Sequence, residues 1–142
     1  MSTFHFFVVS IFIITFGSFG HSVQSADNNV FSGFPPVVVK TEPLSGATNV
    51  DPLIREIRVT FNKDMLIENM WSWVIHAPDL FPKISGAVTY LADQRTNVAP
   101  VILEPNRTYA IWFNSPDYRH NAFRDTENTP AVPYLLVFHT GN

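Results

Sequence analysis

The sequence predicts an all-β domain of about seven short strands, and three observations carry that expectation. After residue 26 every apolar run is kept to strand length. The chain holds 11 prolines, which break helices and confine strands. Ile57, Val59 and Phe61 alternate with Glu56, Arg58 and Thr60, the period of two expected of a strand with one face buried and the other wet.

The elements run in chain order. Residues 6–16 are almost wholly apolar and lead into Gly17, Ser18, Gly20 and the small-residue pattern Val23-Gln24-Ser25. This reads as a secretory signal over residues 1–25. The apolar stretch is short of the roughly 20 residues that span a bilayer. No Lys or Arg precedes it, so retention as an N-terminal anchor stays open beside cleavage after Ser25. Residues 26–35 form an N-terminal arm, and residues 36–142 the domain.

Within the domain, residues 37–41 (Val-Val-Val-Lys-Thr) make a first strand, stopped by Pro43 and the turn-rich Ser45-Gly46-Ala47-Thr48-Asn49. Residues 56–61 are the second. Residues 64–70 allow one helical turn, after which residues 73–76 are extended up to Pro78. Further strands are expected at 87–91, 98–103, 109–114 and 134–140. Strands of this length with turns between them and no long helix argue an immunoglobulin-like antiparallel β-sandwich.

Length and composition bound the rest. The 142 residues, less a signal, supply one domain with one core. The net charge of -3 comes from interspersed acids and bases, which give no patch to recruit nucleic acid or an anionic membrane. Cysteine is absent, which excludes a disulfide scaffold, a thiolate zinc site and a cysteine nucleophile. Burial alone must hold the fold, and 13 Phe, 3 Trp and 4 Tyr supply the apolar area.

Residues 103–109, Leu-Glu-Pro-Asn-Arg-Thr-Tyr, place a Tyr at the start of a strand just after a sheet-to-sheet corner. In such a tyrosine corner the ring fills the core edge and the hydroxyl bonds upstream backbone. The Asn106-Arg107-Thr108 triplet matches a glycosylation sequon but is accounted for by the corner turn.

With these motifs in hand, the chain resembles the bacterial Ig-like domains of the SbsA surface-layer type over most of residues 36–141. The resemblance rests on residues 43–52 (Pro-Leu-Ser-Gly-Ala-Thr-Asn-Val-Asp-Pro), residues 57–65 (Ile-Arg-Val-Thr-Phe-Asn-Lys-Asp-Met), the corner, and the closing Phe138-His139-Thr140-Gly141. Where such domains usually carry Asp followed by a glycine, this chain has Asp125-Thr126-Glu127-Asn128, so that loop is expected to turn differently. The resemblance implies a spacer or interaction module at a bacterial surface or attached to a secreted enzyme. It implies no chemistry.

No enzyme constellation emerges. The histidines of the mature chain, His76, His120 and His139, are widely separated and lack metal-ligand spacing. Nucleophile elbows, His-Glu-x-x-His and phosphate-cradling loops are absent from the sequence. Asp117, Asp125 and Glu127 fall in the long loop 115–133, where oxygen ligands suit calcium, yet Arg119 and Arg124 stand ready to pair with them. Tyr118, Phe123 and Val132 are expected to pin that loop. No cofactor is called for.

Two function classes remain. One is a non-catalytic exported module, secreted or periplasmic, with a structural or protein-interaction role toward a protein partner or a second copy. The other is a carbohydrate-binding accessory domain that stacks a polysaccharide on Trp71, Trp73 or Trp112. The first predicts an apolar strip on an outer sheet face; the second predicts coplanar exposed aromatics. If Tyr109, Ile111, Phe113, Tyr134, Leu136 and Phe138 face the core, then Trp112, Leu135 and Val137 share the opposite face, with Ala110 and Asn114. Such faces are normally polar, so these three mark the interaction face unless residues 31–34 fold back over them.

Overall fold

In the computed structural model, residues 30–142 are described. The expected signal, its cleavage point and the first residues of the arm lie outside them. Eight strands are formed among the described residues: β1 Val38–Glu42, β2 Glu56–Phe61, β3 Trp73–Ile75, β4 Lys83–Ile84, β5 Thr89–Tyr90, β6 Thr96–Ile102, β7 Thr108–Phe113 and β8 Tyr134–His139. They make two antiparallel sheets. One has the order β1-β2-β6-β4, with β5 also paired to β6; the other has the order β3-β7-β8.

The alternation in β2 does what its pattern dictates. Ile57, Val59 and Phe61 are buried, while Glu56, Arg58 and Thr60 point outward, half-buried. From the facing sheet Tyr109, Ile111, Phe113, Leu136 and Phe138 close the same core. Each such side chain removed from water contributes on the order of 1.5–3 kcal/mol. Tyr109 stacks on Phe138 with ring centroids 5.4 Å apart, and Phe123 packs 5.0 Å from Phe61.

The corner is built as its sequence predicts. The Tyr109 hydroxyl accepts a hydrogen bond from the Glu104 backbone N–H at 2.8 Å. Buried Thr140 locks the same turn, its Oγ1 donating to Glu104 O at 2.7 Å and accepting from Arg107 N at 2.9 Å.

Two local expectations are corrected. The helical turn over residues 64–70 does not form: Met65 N–H donates to Gln94 O and Leu66 N–H to Arg124 O, so the backbone there is spent on neighbouring chain. A short 3-10 turn occurs later, at Pro78–Leu80, where proline opens the turn. β4, for which no strand is expected from sequence, consists of two residues flanked by Pro82 and Ser85, too short to show a period.

The two edges of the second sheet differ. The segment after β1 crosses to that sheet and covers the outer edge of β8: Gly46 N–H donates to Val137 O at 2.7 Å, and His139 N–H to Ala47 O at 2.8 Å. Val50 then bridges Thr140 in parallel. The sheet is left with one open edge among the described residues, strand β3.

Candidate functional site

The outer face of β3-β7-β8 is set by register. Trp112 stands opposite Leu135 and Ala110 opposite Val137. Thr140 N–H donates to Arg107 O, which fixes the ladder so that both pairs are of the non-hydrogen-bonded kind, with side chains closest together. On the other side Val74 pairs with Trp112, so it joins the same face. Trp112, Leu135, Val137 and Val74 are each half-buried. The result is a continuous apolar strip across all three strands.

Its rim is polar. Trp112 Nε1–H donates to His76 Nδ1 at 3.2 Å, and Thr108 Oγ1 lies 3.0 Å from His139 Nδ1. Val74 and His76 went unnoticed in the sequence because the period of so short a strand says nothing until its partner is known. Ala110 is buried beside Val137 as the small residue of the strip. Asn114, expected to face outward, is fully buried. A positive φ of 59° ends β7 there and swings the amide inward, where Nδ2 donates to Phe123 O and Ala131 O and Oδ1 accepts from Phe123 N, each at 3.0 Å.

The chain's own candidate cover is anchored elsewhere. Lys63 Nζ donates to Phe31 O at 3.1 Å and Phe34 O at 3.0 Å, and Glu127 accepts from Ser32 Oγ and Gly33 N. Val30 and Phe34 are 71% and 66% exposed, so neither side chain is spent on covering Trp112.

The three loop carboxylates go to separate tasks. Asp125 is fully buried and pairs with Lys63 Nζ at 2.8 Å, while its Oδ1 accepts from Glu127 N and Thr129 N. Glu127 holds the arm. Asp117 accepts from Ser115 Oγ at 2.6 Å, a bond that with the Arg119 N–H holds its carboxyl below the usual range. The missing glycine is answered by Asn128, which takes φ 64° and donates its N–H to Asp125 O. Phe123 is buried and pins the loop, but Tyr118 is 47% exposed and Val132 40% exposed, so neither ring nor branch does so; Val132 contributes its backbone N–H to Pro36 O.

The tryptophans are divided. Trp73 points to the inner side, edge-on to Phe113 at 4.8 Å, with Nε1–H donating to buried Asn97 Oδ1 at 2.8 Å across the two sheets. Trp112 stands on the opposite face of the same sheet. Trp71 and Trp73 line a recess of about 590 Å³ beside β3, together with Ile75, Val88 and His120.

The chain is similar to known proteins. The model of the family described as bacterial Ig-like domain matches residues 33–140. Among solved structures, the crystal structure of the S-layer protein rSbsC(31-844) is similar at 17% identity and a TM-score of 0.47, covering 76% of this chain and 14% of that one. The structure of surface layer protein SbsC, domains 1-6, is similar at 17% identity and a TM-score of 0.48, covering 77% of this chain and 14% of that one. No curated protein matches the chain.

Proposed function

Because the chain belongs to the bacterial Ig-like domain family, we propose that it is a non-catalytic exported module with a protein-interaction role at the cell envelope or outside the cell. The observation that carries this reading is the uncharged apolar strip Val74, Trp112, Leu135 and Val137 on an outer sheet face, where water-facing residues are the rule. A Trp centred among aliphatic side chains is the composition of an interface anchor. Location outside the cytoplasm is supported by the N-terminal apolar run with its small-residue exit.

The polysaccharide reading is less well supported. Trp73 and Trp112 lie on opposite faces of one sheet and cannot form a common platform, and the Trp73 indole N–H is already committed to Asn97.

The test compares Trp112→Ser and Leu135→Thr with the parent protein for both association state and folding free energy. Association lost with stability retained supports the interface. No change in either association state or folding free energy in the two variants rejects the face assignment.

A further inference from the structure

We propose that β3 is a pairing edge that joins two copies of this chain, the two β3 strands running antiparallel across a two-fold axis at Val74. The proposal uses the backbone of the edge and not the side chains of the outer face, so it goes beyond the interaction role of that face and stands or falls separately.

The direction of the backbone groups is fixed by one hydrogen bond. Asn114 N–H donates to Ser72 O at 3.1 Å, and β3 then pairs Trp73 with Phe113 and Val74 with Trp112. In an antiparallel ladder bonding alternates along the strand. Ser72 and Val74 therefore turn their N–H and C=O groups to β7, whereas Trp73 and Ile75 turn theirs away, to the open side. These groups have no partner among the described residues. Ile75 shows the same incompleteness in its side chain: it is 55% exposed although its register partner Ile111 is fully buried. It overhangs the recess lined by Trp71, Trp73, Val88 and His120.

The charge pattern selects a second copy as the occupant. Exposed edges are ordinarily guarded by charges, bulges or proline. The other sheet follows that rule: β1 carries Lys40 and Glu42 and a bulge between Val38 and Lys40, and β4 carries exposed Lys83. Residues 71–76, Trp-Ser-Trp-Val-Ile-His, carry no formal charge with His neutral. Self-pairing at Val74 sets Trp73 opposite Ile75 of the second copy and Ser72 opposite its His76, with no like charges face to face. The same operation on β1, centred on Lys40, would oppose two ammonium groups.

Centred on Val74, each Trp73–Ile75 pair exchanges both backbone hydrogen bonds, so all the free groups of the strand are used. The aromatic and β-branched side chains then meet on the recess side, a favourable cross-strand combination. The two Val74 residues form the non-hydrogen-bonded pair on the axis, with Cα atoms about 4.5 Å apart. That spacing lies within the range a disulfide accepts.

The chain has no cysteine, so Val74→Cys introduces a single thiol. The exported protein is to be oxidised mildly and its disulfide-linked dimer followed on a non-reducing gel, beside Lys40→Cys on the guarded edge. Light scattering gives the solution mass of the parent and of Ile75→Pro. This proline removes only an N–H that points away from β7, a substitution edge strands tolerate. The expected results are a parent mass twice that of one chain, faster cross-linking of Val74→Cys than of Lys40→Cys, and a single-chain mass for Ile75→Pro with its β-sheet circular dichroism intact. A parent that stays at single-chain mass as concentration rises, or Val74→Cys that cross-links no faster than Lys40→Cys, overturns the proposal. So does a folded Ile75→Pro that keeps the doubled mass.

Discussion

Lys63 Nζ lies 2.8 Å from Asp125 Oδ2 with both side chains almost wholly out of water, 4% and 0% exposed, and the same ammonium ties down the carbonyls of Phe31 and Phe34. A pair of this kind is costly to break from one side, because the partner is left charged and buried. Lys63→Met and Asp125→Asn should each lower the unfolding free energy by about 3–5 kcal/mol. Lys63→Met should also free the arm, seen as faster protease cleavage near Phe31. Urea unfolding of both variants checks the first point, and a midpoint close to that of the parent would contradict it.

Tyr109 offers a cleaner deletion. Tyr109→Phe keeps the ring on Phe138 and removes only the acceptor of the Glu104 N–H. The expected loss is about 1–2 kcal/mol, with a larger one for Tyr109→Ala, where ring burial goes too. A thermal midpoint unchanged in Tyr109→Phe would mean the hydroxyl carries no weight at the corner.

Trp73 and Asn97 form the polar link between the sheets. Asn97 Nδ2 has no hydrogen-bond partner among the described residues, so the amide is held only through Oδ1. Trp73→Phe strips that contact and should cost about 1–3 kcal/mol, whereas Trp73→Phe combined with Asn97→Leu, apolar on both sides, should recover part of it. A double-mutant cycle by chemical unfolding measures the coupling. Strictly additive losses would show that the two side chains act independently.

Asp93 should give an acid-dependent contribution. Burial opposes its ionisation, but hydrogen bonds from the Thr96 side chain and from the N–H groups of Arg95 and Thr96 outweigh it and hold the carboxyl below its ordinary 3.8. A depressed carboxylate stabilises the fold above its unfolded value, and that stability is lost as pH falls through the lower folded value. Asp93→Asn should therefore be less stable than the parent at neutral pH, with the gap closing below pH 3.8. A gap that is constant with pH would remove the charged hydrogen bonds as its cause.

What the sequence made legible came from one physical signal, the alternation of buried and wet positions. β2 shows it over all six of its residues, whereas β7 and β8 are apolar on both faces, so the inward set at Tyr109, Ile111 and Phe113 and the placement of Trp112 with Leu135 and Val137 rest on the corner tyrosine pointing into the core. Strands of two or three residues cannot display a period, which is why β4 was missed and why Val74 and His76 joined the face only once pairing was known. Residues 64–70 contain good helix formers, but the carbonyls of Gln94 and Arg124 claim the N–H groups of Met65 and Leu66, a tertiary choice that local propensity does not encode. Lys63 reads as a surface residue after a strand; its burial depends on Asp125, far along the chain and in a loop. The resemblance drawn from four motifs agrees with membership of the bacterial Ig-like domain family.

The proposed interaction face is tested most directly by oxidative footprinting of the protein in the cells that make it, compared with the same protein purified and dilute. Leu53 and Ile102, exposed at 80% and 52%, serve as internal references that should label alike in both settings. The account predicts that Trp112, Leu135 and Val137 are protected in the native setting and become labelled on dilution. Equal labelling of Trp112 in the two settings would contradict it.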